Sequence, residues 1–209
     1  YRDRNDLLWI GTQHGLYRFD GVRLTHFNSK TDNSNYISHS DIRGITTDKS
    51  GTLLLATFGG GILKWNIVNQ RFEKLPVLND LDMTALDFLS TTEDGSVWLA
   101  SKGSLVALDE FLTNIVFWSQ HHSEIENFQK INGVKQIDEH IYLIAANSGL
   151  WKIDTLDRNS FSKIELSNDP SVLAIESSTD GSIVVALADG NVVRLDPTTL
   201  KVKSSKPAF

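Results

Sequence analysis

The stretch Leu8-Trp9-Ile10-Gly11-Thr12-Gln13-His14-Gly15-Leu16-Tyr17-Arg18-Phe19-Asp20 decides the fold, because altered copies of it recur along the chain. The second copy reads Leu53-Leu54-Leu55-Ala56-Thr57, then Gly61-Ile62-Leu63-Lys64-Trp65-Asn66. The third is Val97-Trp98-Leu99-Ala100-Ser101, then Gly103 and Leu105-Val106-Ala107-Leu108-Asp109. The fourth is Ile141-Tyr142-Leu143-Ile144-Ala145, then Gly149-Leu150-Trp151-Lys152-Ile153-Asp154. The fifth is Ile183-Val184-Val185-Ala186-Leu187, then Gly190 and Val192-Val193-Arg194-Leu195-Asp196. One anchor is the series Trp9, Leu54, Trp98, Tyr142, Val184; the other is Asp20, Asn66, Asp109, Asp154, Asp196. Both step by about 42 to 46 residues, a period that marks propellers and solenoids.

Each unit parses as four strands. A first strand, at 42–47, 85–90 and 172–177, runs into a polar turn: Asp48-Lys49-Ser50-Gly51, Glu93-Asp94-Gly95 or Thr179-Asp180-Gly181. The glycines there supply the positive φ of a tight hairpin. The second strand is almost continuously apolar, as expected when both faces are buried. A small residue follows its centre (Gly11, Ala56, Ala100, Ala186), where neighbouring sheets come close. The third strand alternates in and out, and the fourth, at 22–27, 71–75, 115–118, 161–166 and 200–203, is polar like an outer edge. Residues 28–36, 79–82 and 168–170 read as connecting loops, and 123–130, with Ile125 and Phe128 three apart, as two helical turns.

The expected fold is therefore all-β: a β-propeller of four-stranded antiparallel blades, about five of them, at 1–35, 36–81, 82–127, 128–167 and 168–209. The first blade lacks its first strand, since only Tyr1-Arg2-Asp3 precede its polar turn. The polar segment from Ser204 to Phe209, with Pro207 lacking a ladder donor, is ill suited to fill that place. The expectation is an open arc of about five blades cut from a larger propeller, its unpaired terminal sheet faces aggregation-prone or covered by another chain.

The stretch from Asp3 to Asp20 resembles the two-component regulator propeller repeat, whose pattern is roughly Asp-x-x-Gly-x-Leu-Trp-Ile-Gly-Thr-x-x-Gly-Leu-x-Arg-Tyr-Asp. Asp3 takes the first place and Asp6 that of the glycine. The second repeat matches through Asp48, Gly51, Thr57, Gly61 and Asn66, and the third through Gly95, Trp98, Ser101, Gly103 and Asp109. Gly149 with Asp154 and Gly190 with Asp196 extend the resemblance over the remaining units. It implies part of a seven-bladed, or double seven-bladed, propeller in the periplasmic region of a bacterial inner-membrane receptor. It also implies a signal that is a small molecule, a saccharide or a protein, and dimerisation through the propeller. The output, a histidine kinase or a diguanylate cyclase with its GGDEF domain, would lie elsewhere in the parent chain.

Chemistry-bearing residues are few. The chain of 209 residues has no cysteine, so thiolate metal sites and cysteine nucleophiles are excluded. A net charge of −6 argues against a nucleic-acid partner. His14, His26, His39 and His140 are dispersed, and the adjacent pair His121-His122 lacks metal-ligand spacing. Gly59-Gly60-Gly61 leads into a strand, not a helix, and reads as a wide hairpin turn instead of a phosphate loop. Trp9, Trp98, Trp65 and Trp151 read as packing residues, with Trp118 at an edge. The recurring Asp or Asn after the third strand reads as a turn cap. The sequence assigns no catalytic, cofactor-binding or metal-binding residue and no cofactor. The leading function is a sensing or binding ectodomain. The alternatives are a propeller enzyme of quinoprotein or streptogramin-lyase type and an intracellular scaffold propeller.

Overall fold

Alternating apolar residues between glycine-bearing turns fold the chain into successive antiparallel sheets, each pairing its strands in chain order. The computed structural model describes residues 1–30, 36–78, 86–101, 104–119, 130–157, 161–167 and 171–208, except for the side chains of 87 and 117–119. The first sheet has three strands: β1 (Leu8–Thr12), β2 (Gly15–Phe19) and β3 (Leu24–Phe27). The second comprises β4 (Ile42–Thr47), β5 (Leu53–Thr57), β6 (Gly61–Asn66) and β7 (Arg71–Lys74). The third comprises β8 (Leu86–Thr91), β9 (Val97–Ser101), β10 (Ser104–Leu108) and β11 (Ile115–Ser119). The fourth comprises β12 (Ile131–Gln136), β13 (Ile141–Ala146), β14 (Gly149–Asp154) and β15 (Phe161–Ile164). The fifth comprises β16 (Val172–Ser177), β17 (Ile183–Leu187), β18 (Asn191–Leu195) and β19 (Val202–Pro207). Tyr1–Trp118 and Ser119–Phe209 are two compact units, with three sheets in the first and two in the second.

The expected strands at 42–47 and 172–177 are β4 and β16, and the one at 85–90 is β8, displaced by a residue. β12 is a first strand that the repeat did not single out. The largest departure is the last strand, expected at 200–203 and found at Val202–Pro207. Leu200 instead takes a left-handed φ of 56° and closes the preceding turn with its N–H on the Asp196 carbonyl, 2.9 Å away. Pro207 sits at the end of this outer strand opposite Asn191, where a missing donor is tolerated. β19 thus completes its own sheet, and the first sheet keeps three strands. The expected helix at 123–130 and the loops at 79–82 and 168–170 fall outside the described residues, apart from Lys130, which is a bend.

The turns before β1, β5, β9 and β17 share one build. Asp48 N–H bonds the Thr52 carbonyl and Gly51 N–H the Asp48 carbonyl; Thr92 with Ser96 and Ser178 with Ser182 repeat the arrangement. Gly51, Gly95 and Gly181 have φ of 88°, 92° and 79°. In the first sheet, Asp3 closes on Leu7 in the same way and Asp6 takes the glycine's place at φ 66°. The alignment of Asp6 with glycine was therefore conformationally right, although an L-residue there is strained.

The carboxamide or carboxylate ending each third strand caps the next turn. The Oδ1 atoms of Asp20, Asn66, Asp109, Asp154 and Asp196 accept the N–H groups of Val22, Val68, Thr113, Leu156 and Thr198 at 2.9 to 3.0 Å. These bonds stabilise the ionised acids. The backbone N–H groups of Arg23 and Thr199, with others, lower Asp20 and Asp196 below the usual carboxylate range. In the turn before β17, the Ser182 hydroxyl and N–H, with Arg194 beyond, hold Asp180 at about 2.

Sheets bury their faces against each other within each unit. Trp9 and Leu16 from the first sheet pack on Ile42, Leu53 and Leu55 of the second. Leu54 and Ile62 of the second pack on Val97 and Leu99 of the third. In the other unit, Leu143 and Leu150 pack on Ile183 and Val185. β5 and β9 are buried on both faces, as the apolar runs predict. β1 and β17 are not: Leu8 and Ile10 are exposed and Val184 and Ala186 half-buried, on the faces turned away from these cores. A Cβ on Gly11 would lie 2.7 Å from the Ile42 side chain and one on Gly44 2.9 Å from Leu89 Cβ, so these sheets meet at glycine.

Trp9 is buried, with its Nε1 donating to Asp3 at 2.8 Å, and Trp98 is wholly buried. Trp9→Ala and Trp98→Ala are each expected to destabilise by about 3–5 kcal/mol in denaturant unfolding. Asp6→Gly should raise stability by up to about 1 kcal/mol, by relieving the left-handed backbone. Because the folded pKa of Asp180 lies below its ordinary 3.8, its contribution is present above that value and is lost as pH falls toward about 2. Asp180→Asn should remove that part of the acid dependence, as read from unfolding midpoints between about pH 4 and pH 2.

Candidate functional site

Every four-stranded sheet carries a bulge at the same place. In β4, Ile42 faces Thr57 and Gly44 faces Ala56, leaving Arg43 extra. Residue 87 is extra between Leu86 and Phe88, Asn132 between Ile131 and Gly133, and Leu173 between Val172 and Ala174. Such a bulge re-aims a side chain without breaking the sheet. The sequence carries its trace: apolar residues three apart (Ile42 and Ile45, Leu86 and Leu89, Ile131 and Val134, Val172 and Ile175) where a regular strand alternates by two. That spacing went unread, and with it the residues the bulge presents.

The bulges stand at the strand end opposite the Asp-capped turns. There, the residue following the second strand donates its N–H to the residue preceding the first strand: Phe58 to Asp41, Asn147 to Lys130 and Ala188 to Ser171, each at 2.9 Å. One end of each sheet therefore consists of repeated caps whose polar atoms hold turns. The other end carries irregular loops whose side chains differ from sheet to sheet.

At this second end of the second sheet lie Asp41, Arg43, Phe58 and the turn Gly59-Gly60-Gly61. Arg43 reaches back to Asp41 at 2.7 Å and lies over the Phe58 ring at 5.5 Å. The ring is 53% exposed. Asp41 Oδ1 is buried with no hydrogen-bond partner among the described residues, while its Oδ2 takes the Arg43 guanidinium. Gly59 and Gly61 have φ of 93° and 75°, and Gly60 gives His39 its place: a Cβ there would lie 2.3 Å from His39 Nδ1. An aromatic ring, a guanidinium and a carboxylate stand together on this rim and make it the candidate binding surface. His39 Nδ1 contacts its sequence neighbour Ser38 at 3.2 Å, and no carboxylate among the described residues backs the ring. The corresponding place in the second unit is occupied by its own bonds. Asn132 donates to Asn147 at 3.0 Å and to the Val172 carbonyl at 2.8 Å, and Ser171 donates to the Asn147 carbonyl.

The residues singled out in the sequence are mostly structural. His26 stacks on Tyr17 with its Nε2 3.1 Å from the His14 carbonyl, and the His140 carbonyl accepts the Thr155 N–H at 2.9 Å. Trp65 packs edge-on against Phe72 and Phe27, and Trp151 bonds Ser148 through its Nε1. His121 and His122 lie outside the described residues, and the Trp118 side chain is likewise not described. Among the described residues, no three His, Cys, Asp or Glu side chains converge as metal ligands would.

Over 99% of its length, the chain matches the extracellular domain of BT4673, a putative one-component system of B. thetaiotaomicron. The TM-score is 0.76 at 20% identity, and 30% of that chain is covered. The extracellular domain of BT3049, a putative hybrid two-component system of the same organism, matches over 99% at a TM-score of 0.76 and 17% identity, with 29% of its chain covered. The β-propeller domain of Myceliophteria thermophila Swd1 matches 79% of the chain and is covered over 55% of its own, at a TM-score of 0.60 and 12% identity. The fold is that of a β-propeller. Its sheets are propeller blades, and the chain spans less than a third of the length of the two bacterial domains. No family model and no curated protein matches the sequence.

The bulged residues of β4 and β8 occupy the same place in the first strands of the first unit's two four-stranded sheets, and Arg43 belongs to that set. Arg43→Ala and Phe58→Ala should each shift the unfolding midpoint by no more than about 0.5 kcal/mol, as expected of surface positions outside the core.

Proposed function

We propose that this propeller segment is the signal-sensing, ligand- or partner-binding part of an extracytoplasmic receptor of bacterial two-component type. The observation that carries the reading is the match, over nearly the whole chain, to extracellular domains of putative one-component and hybrid two-component systems. The rim of Asp41, Arg43 and Phe58 supports it, since it groups an ion pair with a half-exposed aromatic ring at the loop-bearing end of the sheet. On this reading the propeller lies in the periplasm and the parent chain is anchored in the inner membrane. The catalytic output, a histidine kinase or a diguanylate cyclase, lies elsewhere in that chain. The signal is a small molecule, a saccharide or a protein that contacts Phe58 and Arg43 at this rim, and dimerisation through the propeller transmits it. The segment itself binds and does not catalyse.

The test is a ligand screen on the purified chain by thermal shift, followed by a transcriptional reporter in the parent organism. A signal that raises the midpoint of the wild-type chain and switches the reporter should lose at least about tenfold in affinity in Phe58→Ala and in Arg43→Ala. Undiminished affinity in both variants would remove the rim from the reading. A reporter indifferent to deletion of the propeller would remove the sensing role.

A further inference from the structure

Two residues before the capping Asp or Asn, the third strand carries a cation in four blades: Arg18, Lys64, Lys152 and Arg194. Three times the outer strand sets a small hydroxyl residue across from it, Thr25, Ser162 and Ser204. In the second blade it sets Glu73 across from Lys64. The same blade has the carboxamide Asn66 as its cap, in a series otherwise made of Asp. The two departures belong together. Asn66 Nδ2 donates to Glu73 Oε2 at 2.9 Å, which a carboxylate at that place could not do, and Asn69 Nδ2 donates to Oε1. These amide donors hold the Glu73 carboxyl below the usual carboxylate range, so it is ionised at neutral pH.

Cross-strand neighbours of opposite charge ordinarily close on each other. Among the described residues, Lys64 pairs instead with Asp48, its Nζ 3.0 Å from the carboxylate, while Glu73 is turned to the two asparagines. Both line a pocket of about 370 Å³. By strand pairing, Lys64, Asn66 and Glu73 share one face of the sheet with Leu54 and Ile62. Lys64 keeps N–H donors beyond the one on Asp48, and the Glu73 carboxylate keeps lone pairs beyond those given to two amides. Lys74 adds a second cation to the lining, and Ile67 and Pro76 give the pocket an apolar, exposed side. The pocket lies at the capped end of the sheet, opposite the end that carries Arg43 and Phe58.

We propose that this pocket binds a free α-amino acid with an apolar side chain. Its ammonium group meets the Glu73 carboxylate, its carboxylate meets the Lys64 ammonium, and its side chain lies against Ile67 and Pro76. A zwitterion answers both charges at once. A simple amine leaves two lysines facing no anion, and a simple acid is opposed by Glu73. The pocket has the size of a small-molecule site and sets a few polar groups beside apolar walls, as such sites do. Asp48 holds the Lys64 side chain in place, so the cation that steadies the turn is already positioned for the ligand. The site is separate from the rim of Arg43 and Phe58, and its loss would leave the sensing reading as it stands.

Calorimetric titration of the 209-residue chain with L-leucine, L-methionine and L-phenylalanine tests the proposal. At least one of the three should bind one-to-one with a dissociation constant of about 1 mM or lower. N-acetylation of that amino acid, which removes its positive charge, and amidation, which removes its negative one, should each weaken binding at least about tenfold. Glu73→Gln should do the same while leaving the unfolding midpoint unchanged, because the side chain is exposed. In nuclear magnetic resonance spectra, the side-chain amides of Asn66 and Asn69 should shift on saturation and the Phe58 backbone amide should not. Absence of binding by all three at about 10 mM overturns the proposal. So does an affinity that acetylation, amidation or Glu73→Gln leaves unchanged, or a shift at Phe58 in place of the two asparagines.

Discussion

The structure depends on how closely neighbouring sheets can approach. A sheet whose second strand is apolar on both faces is stable only if both faces meet other atoms at van der Waals distance. Gly11 against Ile42, Gly44 against Leu89 and Gly133 against Ile175 set that distance. With larger residues at those points the strands would stand apart, and the dispersion contacts of Trp9, Leu54 and Leu143 would weaken along the whole face. The repeat period follows from this constraint, because a unit must hold enough strands to offer one such face to each neighbour.

The same strands that pack also shape the candidate binding surface. The bulge in each first strand adds one residue without disturbing the ladder on either side, so buried apolar residues three apart bracket a side chain free to vary. Arg43, Asn132 and Leu173 share one backbone position and no chemistry. A repeated residue, such as the Asp after each third strand, serves the fold. An unrepeated one at a repeated position is where blades can differ in what they contact.

Most of the fold was legible because it rests on local, periodic signals. Glycine or Asp6 in the turns, the capping Asp or Asn, and the continuous apolar second strands all act within a few residues of themselves. What was missed depended on partners far along the chain. The shift of the last strand to Val202–Pro207 follows from Leu200 adopting a left-handed turn, which its side chain gives no reason to expect. Of the candidate site, the Gly59-Gly60-Gly61 turn was visible. Arg43, Asp41 and Phe58 were not, since their meeting depends on the bond from Phe58 to Asp41 that joins two separate connections. The spacing of three in the first strands was the readable sign of the bulge, since a regular strand repeats every two residues.

The bond from the Phe58 N–H to the Asp41 carbonyl acts as a clasp, and Asn147 to Lys130 and Ala188 to Ser171 repeat it. Each clasp pins the end of an interblade connection to the rim, so the backbone beyond it can lengthen or change composition without loading the strands. Doubling such a connection costs only about 0.6 kcal/mol in closure entropy. The connections can therefore drift independently of folding: a lineage can exchange them while the packed sheets beneath inherit no change at all.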